Sequence, residues 1–213
     1  MPVLLYITFF AGFLPLAALV LLKSKIANAM PASPFIYLAA ASSLYEMIFT
    51  VMLKIDSRVW FTVYDILAFL CIFYYFFKIN RPKYRSIFTV SMVIFALVAG
   101  AGCFIAPRSL SHFLQVQAVF AGTITLFVMV MTFLWFTDIF RKMEVPNLWD
   151  LPDFYNIAGL FIYYSTTFFL FLLSDIIQTD GSVIFLNYWM LNVVAALILR
   201  TLLTIGVWKS IRN

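Results

Sequence analysis

Seven long apolar runs, separated by short polar gaps, constrain this chain more than any other feature of its sequence. The runs cover residues 3–22, 35–53, 59–77, 87–105, 113–140, 154–174 and 183–208. At about 1.5 Å of rise per residue, each run is long enough for a helix to cross a hydrocarbon core of roughly 30 Å. Hydrophobic residues make up 65% of the chain and charged residues only 11%, which leaves too few polar groups to cover a soluble domain. The sequence therefore predicts an all-α, polytopic membrane protein in which residues 1–213 form a single domain of seven transmembrane helices.

The basic residues in the polar gaps lie mainly on one side of the predicted bundle. Ten of them follow the first, third and fifth runs or lie in the C-terminal tail: Lys23, Lys25, Lys78, Arg81, Lys83, Arg85, Arg141, Lys142, Lys209 and Arg212. Three lie on the opposite side: Lys54, Arg58 and Arg108. Because basic loops stay in the cytoplasm, this bias predicts a cytoplasmic C-terminus and an N-terminus outside. We expect the net charge of +5 to serve contact with the anionic headgroups of the lipid bilayer, and we predict no nucleic-acid partner.

The sequence motifs of common enzymes and cofactor-binding proteins are absent from this chain. It has one histidine, His112, and no group of His, Cys and carboxylate residues at metal-ligand spacing. The GxSxG, HExxH, P-loop and glycine-rich dinucleotide motifs do not occur. The seventh run has no lysine on which a retinal Schiff base could form. We therefore predict no metal, no cofactor and no catalytic residue.

A small set of ionisable residues lies at membrane depth, where a charge is costly in hydrocarbon. Glu46 lies in the second run, Asp65 lies beside Tyr64 in the third, and Arg200 lies in the seventh. With the predicted orientation, both carboxylates fall in the outer half of the bundle. They can share a proton or bind a cation there, or each can hydrogen-bond across a helix contact and only hold the bundle together. The sequence leaves both interpretations open.

Polar residues form a stripe along one face of each of the last two helices. In helix seven they recur at every fourth position: Tyr188, Asn192, Ala196, Arg200 and Thr204. In helix six the corresponding face holds Asn156, Gly159, Tyr163 and Thr167. Lipid would leave their donors unpaired, so we expect both stripes to face the bundle interior, as a cavity or as a hydrogen-bonded seam. Arg200 has a further option, because its long side chain can extend to the cytoplasmic headgroups.

Two segments near the C-terminus combine aromatic, glycine and polar residues in a recognisable order. Residues 152–174 begin with Pro-x-Phe-aromatic and continue to a glycine and a tyrosine, here Pro152, Phe154, Tyr155, Gly159 and Tyr163. Residues 189–208 open with a tryptophan and end in Ile-Gly-x-Trp, with Asn192 and Arg200 between them. These segments resemble the last two helices of a family of small, uncharacterised seven-helix membrane proteins of Bacteroidetes. Asn192 stands where that pattern has His, and Ala196 and Arg200 stand where it has Asn. The resemblance implies a bacterial, multi-pass protein of the inner (cell) membrane, and it implies no activity.

Two classes of function stay open, with a third behind them. A receptor-like membrane sensor would bind a small or lipophilic ligand within the bundle and signal to a separate cytoplasmic protein. We predict the ligand-binding residues of such a sensor to be Glu46, Tyr64, Asp65, Tyr163, Tyr188, Asn192 and Arg200. A small-molecule or ion transporter, or a channel, would use the carboxylates and Arg200 as a pathway, although transporters ordinarily have broken helices. An intramembrane enzyme comes third, because two acids without a metal set or a nucleophile motif seldom suffice. The sequence gives neither the identity of the ligand nor the oligomeric state.

Overall fold

The computed structural model describes residues 2–21, 30–80, 83–105, 110–142, 147–172 and 182–212 of the chain. These residues fold into helices, and none of them forms a strand. The α-helices are α1 (Pro2–Leu21), α2 (Ser33–Tyr45), α3 (Arg58–Ile79), α4 (Arg85–Ile105), α5 (Leu110–Lys142), α6 (Pro152–Leu172) and α7 (Ser182–Arg212). The prediction of an all-α fold is confirmed for this part of the chain.

Four of these helices contain segments that are long and apolar enough to cross a membrane. The segments are Arg58–Ile79 in α3, Arg85–Gly102 in α4, Gln115–Arg141 in α5 and Met190–Ser210 in α7. α1 supplies a shorter apolar segment, Ile7–Leu21. Large hydrophobic side chains lie on the outer surface of these helices, such as Leu97, which is 70% exposed. A surface of this kind suits lipid better than water, as expected of a membrane protein.

The second apolar run forms two kinds of helix in succession. α2 ends at Tyr45, and the chain continues as a π-helix over Glu46–Met52. The N–H of Leu53 closes this segment by donating to the carbonyl oxygen of Ile48 at 3.0 Å, a hydrogen bond that spans five residues. Hydropathy alone predicts one uniform helix over 35–53, because it carries no signal for this change of hydrogen-bond spacing.

α6 and α7 run antiparallel and make the most extensive helix contact in the part of the chain that the structure describes. Gly159 of α6 lies directly against Leu199 of α7. Gly206 of α7 faces Asn156 of α6, which is only 2% exposed. Glycines at these positions let the two backbones approach closely, which is the usual way that membrane helices gain packing contacts.

Phenylalanine side chains fill the space between α3, α4 and α5. The group consists of Phe69, Phe73, Phe76, Phe88, Phe95 and Phe127. Phe69 and Phe95 stack with their ring centroids 3.7 Å apart, and Phe73 meets Phe88 edge-on at 5.2 Å. Aromatic pairs add to the stabilisation from burial alone, so this cluster holds the peripheral helix α4 on the bundle.

Charged pairs join the helices at the end of the bundle that holds the last turn of α7, which we call the basic end. Lys83, just before α4, pairs with Asp138 of α5. Lys209 of α7 donates to Asp150 at 3.0 Å, and Asp150 belongs to the short 3-10 helix Leu148–Asp150 ahead of α6. These pairs tie the polar connections of the basic end to the helices.

The contact between α6 and α7 can be tested by replacing glycine with alanine at two positions, one inside the contact and one outside it. A Cβ atom at Gly206 would lie 2.9 Å from Asn156 Cγ and 3.1 Å from the Pro152 carbonyl oxygen, whereas one at Gly100 meets nothing within 4 Å. We expect Gly206→Ala to lower the free energy of unfolding by about 1–3 kcal/mol, because the added methyl group overpacks the contact. Gly100→Ala is the matched control and should leave the unfolding temperature in detergent unchanged or slightly raised. Equal effects of the two substitutions would contradict the packing described here.

Candidate functional site

A cavity of about 410 Å³ lies in the half of the bundle that holds the start of α1, at the end opposite the basic end. Six of the seven residues proposed from the sequence as ligand-binding line it: Glu46, Tyr64, Asp65, Tyr163, Asn192 and Arg200. The seventh, Tyr188, belongs to α7, but its side chain lies outside the part that the structure describes. The volume falls within the range of small-molecule sites in proteins, which is roughly 300–1,000 Å³.

Arg200 crosses from α7 to two other helices at the wall of this cavity. Its Nη1 donates to the carbonyl oxygen of Thr8 in α1, and its Nη2 donates to Ser43 Oγ in α2 at 2.9 Å. The side chain therefore points into the bundle, and extension to the cytoplasmic headgroups is the wrong interpretation. Gly12 makes the crossing possible, because a Cβ atom there would lie 2.8 Å from Ser43 Cβ and 3.3 Å from Arg200 Cζ.

Glu46 is the first residue of the π-helix and lines the same cavity. Its Oε1 accepts a hydrogen bond from Ser42 Oγ at 2.9 Å, and that hydroxyl in turn accepts one from Trp60 Nε1 at 3.4 Å. Arg200 lies within electrostatic range of Glu46, but the ion pairs of the described residues do not include these two side chains. The positive charge of Arg200 therefore compensates for Glu46 across a gap and not through a direct contact.

Asp65 lies in α3 on another wall of the cavity, and within the described ranges it forms no ion pair. The side chain of Gln117 lies beside it, yet Gln117 Nε2 makes no hydrogen bond of normal geometry to the residues that are described. The hydroxyl of Tyr164 also lacks a hydrogen-bond partner there, although Gln117 and Tyr164 are each only 3% exposed. Buried polar atoms normally find partners, so these two mark the places where a bound molecule or water would complete the site.

The polar faces of α6 and α7 meet both as a seam and as a cavity wall. Thr167 Oγ1 of α6 donates to Asn192 Oδ1 of α7 at 3.1 Å, and both residues line the cavity. Thr125 of α5 adds a hydrogen bond from its Oγ1 to the carbonyl oxygen of Tyr164 at 2.8 Å. The two arrangements expected from the sequence, a cavity and a hydrogen-bonded seam, thus occur side by side.

The chemistry that this site offers is binding through opposite charges and apolar surface. Phe9, Phe61 and Val193 supply apolar parts of the wall. Groups of three or more His, Cys, Asp or Glu residues that could hold a metal ion do not occur within the ranges that the structure describes. A molecule with a charged group and an apolar body matches such a wall better than a bare ion does.

Several residues of the site were not identified from the sequence. Ser43 and Thr8 hold the guanidinium of Arg200, and Thr8 does so through its backbone carbonyl, which no sequence pattern reveals. Gln117 is not among the residues that the sequence proposes for the site. Its signal is present in the sequence, as an amide inside an otherwise apolar run, but that signal does not say which helix it faces.

The role of Arg200 can be tested by comparing Arg200→Leu with Arg200→Lys. Leu removes the charge that compensates for Glu46, and Lys keeps the charge but cannot reach Thr8 and Ser43 with the planar fork of a guanidinium. We expect the unfolding temperature in detergent to fall in the order wild type, Arg200→Lys, Arg200→Leu, with the leucine variant losing about 1.5–3 kcal/mol. Arg212→Leu, at an exposed position near the end of the same helix, is the control and should change little. Unchanged stability of both Arg200 variants would show that the crossing contributes nothing.

Comparisons of the chain with models of protein families, with curated proteins and with solved structures found no match in any of the three. The resemblance to the seven-helix family of Bacteroidetes therefore stays a prediction from the sequence.

Proposed function

We propose that this protein is a receptor-like sensor of a bacterial inner membrane, with seven transmembrane helices. It binds a small or lipophilic molecule in the cavity and signals to a separate cytoplasmic protein. The observation that carries this proposal is that Glu46, Asp65 and Arg200, from three different helices, line one and the same cavity. Ionisable groups at membrane depth are costly and are commonly kept for function, and here all three line one space of ligand size.

The shape of the cavity favours a sensor over a transporter or channel. Its lining ends at the level of Arg200 on α7 and Tyr163 on α6. Toward the basic end, the described core beside this lining is mainly apolar, with side chains that are each at most 2% exposed: Ile36, Ile72, Ile124, Leu160 and Leu203. The buried hydroxyl of Thr125 in the same layer donates to the Tyr164 carbonyl oxygen. A transport pathway needs polar groups through the whole membrane, whereas a binding site needs them at one depth only.

α7 offers a direct connection between the cavity and the basic end. It runs as one helix from Ser182 to Arg212, so Asn192 and Arg200 at the cavity wall share a helix with Lys209. Lys209 donates to Asp150, which lies in the connection ahead of α6. A small shift or rotation of such a helix at the ligand would displace this connection, where a cytoplasmic partner would read it.

The orientation of the chain is the first test of this proposal. A reporter fused after residue 213 should be active in the cytoplasm, and a tag placed before residue 1 should be accessible from outside, because basic loops stay in the cytoplasm. Protease protection in spheroplasts and reporter fusions at both ends measure this. Finding both ends on the same side would exclude seven spans.

Access to the cavity distinguishes a sensor from a transporter. In a background without native cysteines, we expect Ala196→Cys, on the cavity wall, to react with a membrane-impermeant thiol reagent applied from outside. Ala195→Cys is the matched control, because Ala195 is 3% exposed, does not line the cavity and should stay unreactive. Mass spectrometry of labelled vesicles of both orientations gives the readout.

The side from which the cavity residue reacts decides between the two functions. Reaction from outside alone supports a sensor with a one-sided binding site. Reaction from both sides would replace the sensor with a transporter that alternates its access, and no reaction from either side would remove the cavity as a ligand site.

A further inference from the structure

We propose that the molecule bound in the cavity is a small organic amine in its protonated form, with the ammonium group against Asp65. This inference rests on the proposed function and adds the chemical class of the ligand. Its starting point is the charge of the cavity wall, which carries the two carboxylates of Glu46 and Asp65 and one guanidinium, that of Arg200.

Arg200, the positive charge that the described residues bring to the wall, is already engaged on the Glu46 side. Arg200 donates to Thr8 and Ser43 and lies within electrostatic range of Glu46. Asp65 has no ion pair within the described part of the chain, and Arg200 does not act on it as it does on Glu46. A carboxylate and an ammonium that meet at membrane depth neutralise each other, so a ligand that brings its own positive charge can pair with Asp65 there.

The surroundings of Asp65 suit an ammonium group better than a metal ion. Tyr64, Tyr163 and Tyr164 line the cavity near Asp65, and the rings of Tyr163 and Tyr164 meet edge-on with centroids 5.0 Å apart. Aromatic faces attract ammonium groups within about 6 Å, and they contribute nothing to the oxygen cage that a hard metal ion requires. The described residues also contain no group of three or more His, Cys, Asp or Glu for a metal.

Three polar atoms of the described cavity lining have no hydrogen-bond partner, Thr50 Oγ1, Gln117 Nε2 and the Tyr164 hydroxyl, and the last two lie near Asp65. The Tyr164 hydroxyl has no hydrogen-bond partner among the described residues, and Gln117 Nε2, beside Asp65, makes no hydrogen bond of normal geometry to them. The Tyr164 oxygen can accept from an ammonium, and the Gln117 amide can donate to a polar substituent of the ligand or to Asp65. The apolar body then lies against Phe9, Phe61 and Val193.

The test compares one amine with its neutral counterpart. Purified protein in a non-ionic detergent is titrated at neutral pH with 2-phenylethylammonium chloride or with 2-phenylethanol, at matched ionic strength, and the unfolding temperature is followed. We expect the ammonium compound to raise the unfolding temperature in a saturable way and the alcohol to have little effect. Equal shifts with both compounds, or no shift with either, would overturn the proposal.

Three neutralising substitutions locate the interaction. Asp65→Asn should weaken binding of the ammonium compound by about tenfold or more, because it removes the charge-assisted contact while it keeps the shape. Glu46→Gln should change binding less than Asp65→Asn, since Arg200 already compensates for Glu46. Asp56→Asn is the control outside the cavity. Hydrogen bonds from Arg58 lower the pKa of Asp56, so it carries a full charge at neutral pH, yet its removal should leave binding unchanged.

Failure of this inference can be told apart from failure of the proposed function. If Ala196→Cys reacts from outside but the ammonium compound causes no shift, the cavity remains a ligand site and the amine is the wrong class. If the ammonium compound raises the unfolding temperature of Asp65→Asn as much as that of the wild-type protein, the inference is also rejected. If Asp65→Asn does not fold, the comparison of amine and alcohol on the wild-type protein still decides.

Discussion

The guanidinium of Arg200 is the group on which the arrangement of this half of the bundle depends. A charged side chain cannot stay unpaired among apolar helices, so its position requires that α1 and α2 offer it acceptors. The Thr8 carbonyl and the Ser43 hydroxyl are those acceptors, and Gly12 leaves the room in which they meet. Because Arg200 also forms part of the cavity wall, the contact that joins the three helices shapes the ligand site as well.

Much of the fold and of the candidate site can be predicted from the sequence, for a physical reason. In a membrane, a polar residue must face inward, and its position along an apolar run gives its depth. Glu46, Asp65 and Asn192 are polar residues in such runs at similar depth, and they line one cavity in the structure. Polarity and depth together were enough to group them without any knowledge of the neighbouring helices.

Features that depend on which helices are neighbours could not be predicted in this way. The contact between Thr8 and Arg200 joins residues 192 positions apart. Hydropathy gives each of them a depth but does not give the order of helices around the bundle. The π-helix at Glu46 cannot be predicted for another reason. Hydropathy depends on the residue types alone, and the same residues can form an α-helix or a π-helix. Gln117 is a polar residue in an apolar run, but the side chain it lies beside, Asp65, belongs to a different helix.

The π-helix that follows α2 gives the second apolar run a property that an unbroken α-helix would lack. Each of its turns contains more residues than an α-helical turn. The segment Glu46–Met52 therefore holds a surplus of residues at the cavity wall compared with an α-helix of the same length. Such a surplus can migrate by exchanging one backbone hydrogen bond for the next, so no net bond is lost. Each residue of migration turns the side chains it passes by about 100° around the helix axis. Glu46 stands at the start of this segment, so a one-residue step would turn its side chain relative to the cavity that Arg200 also lines.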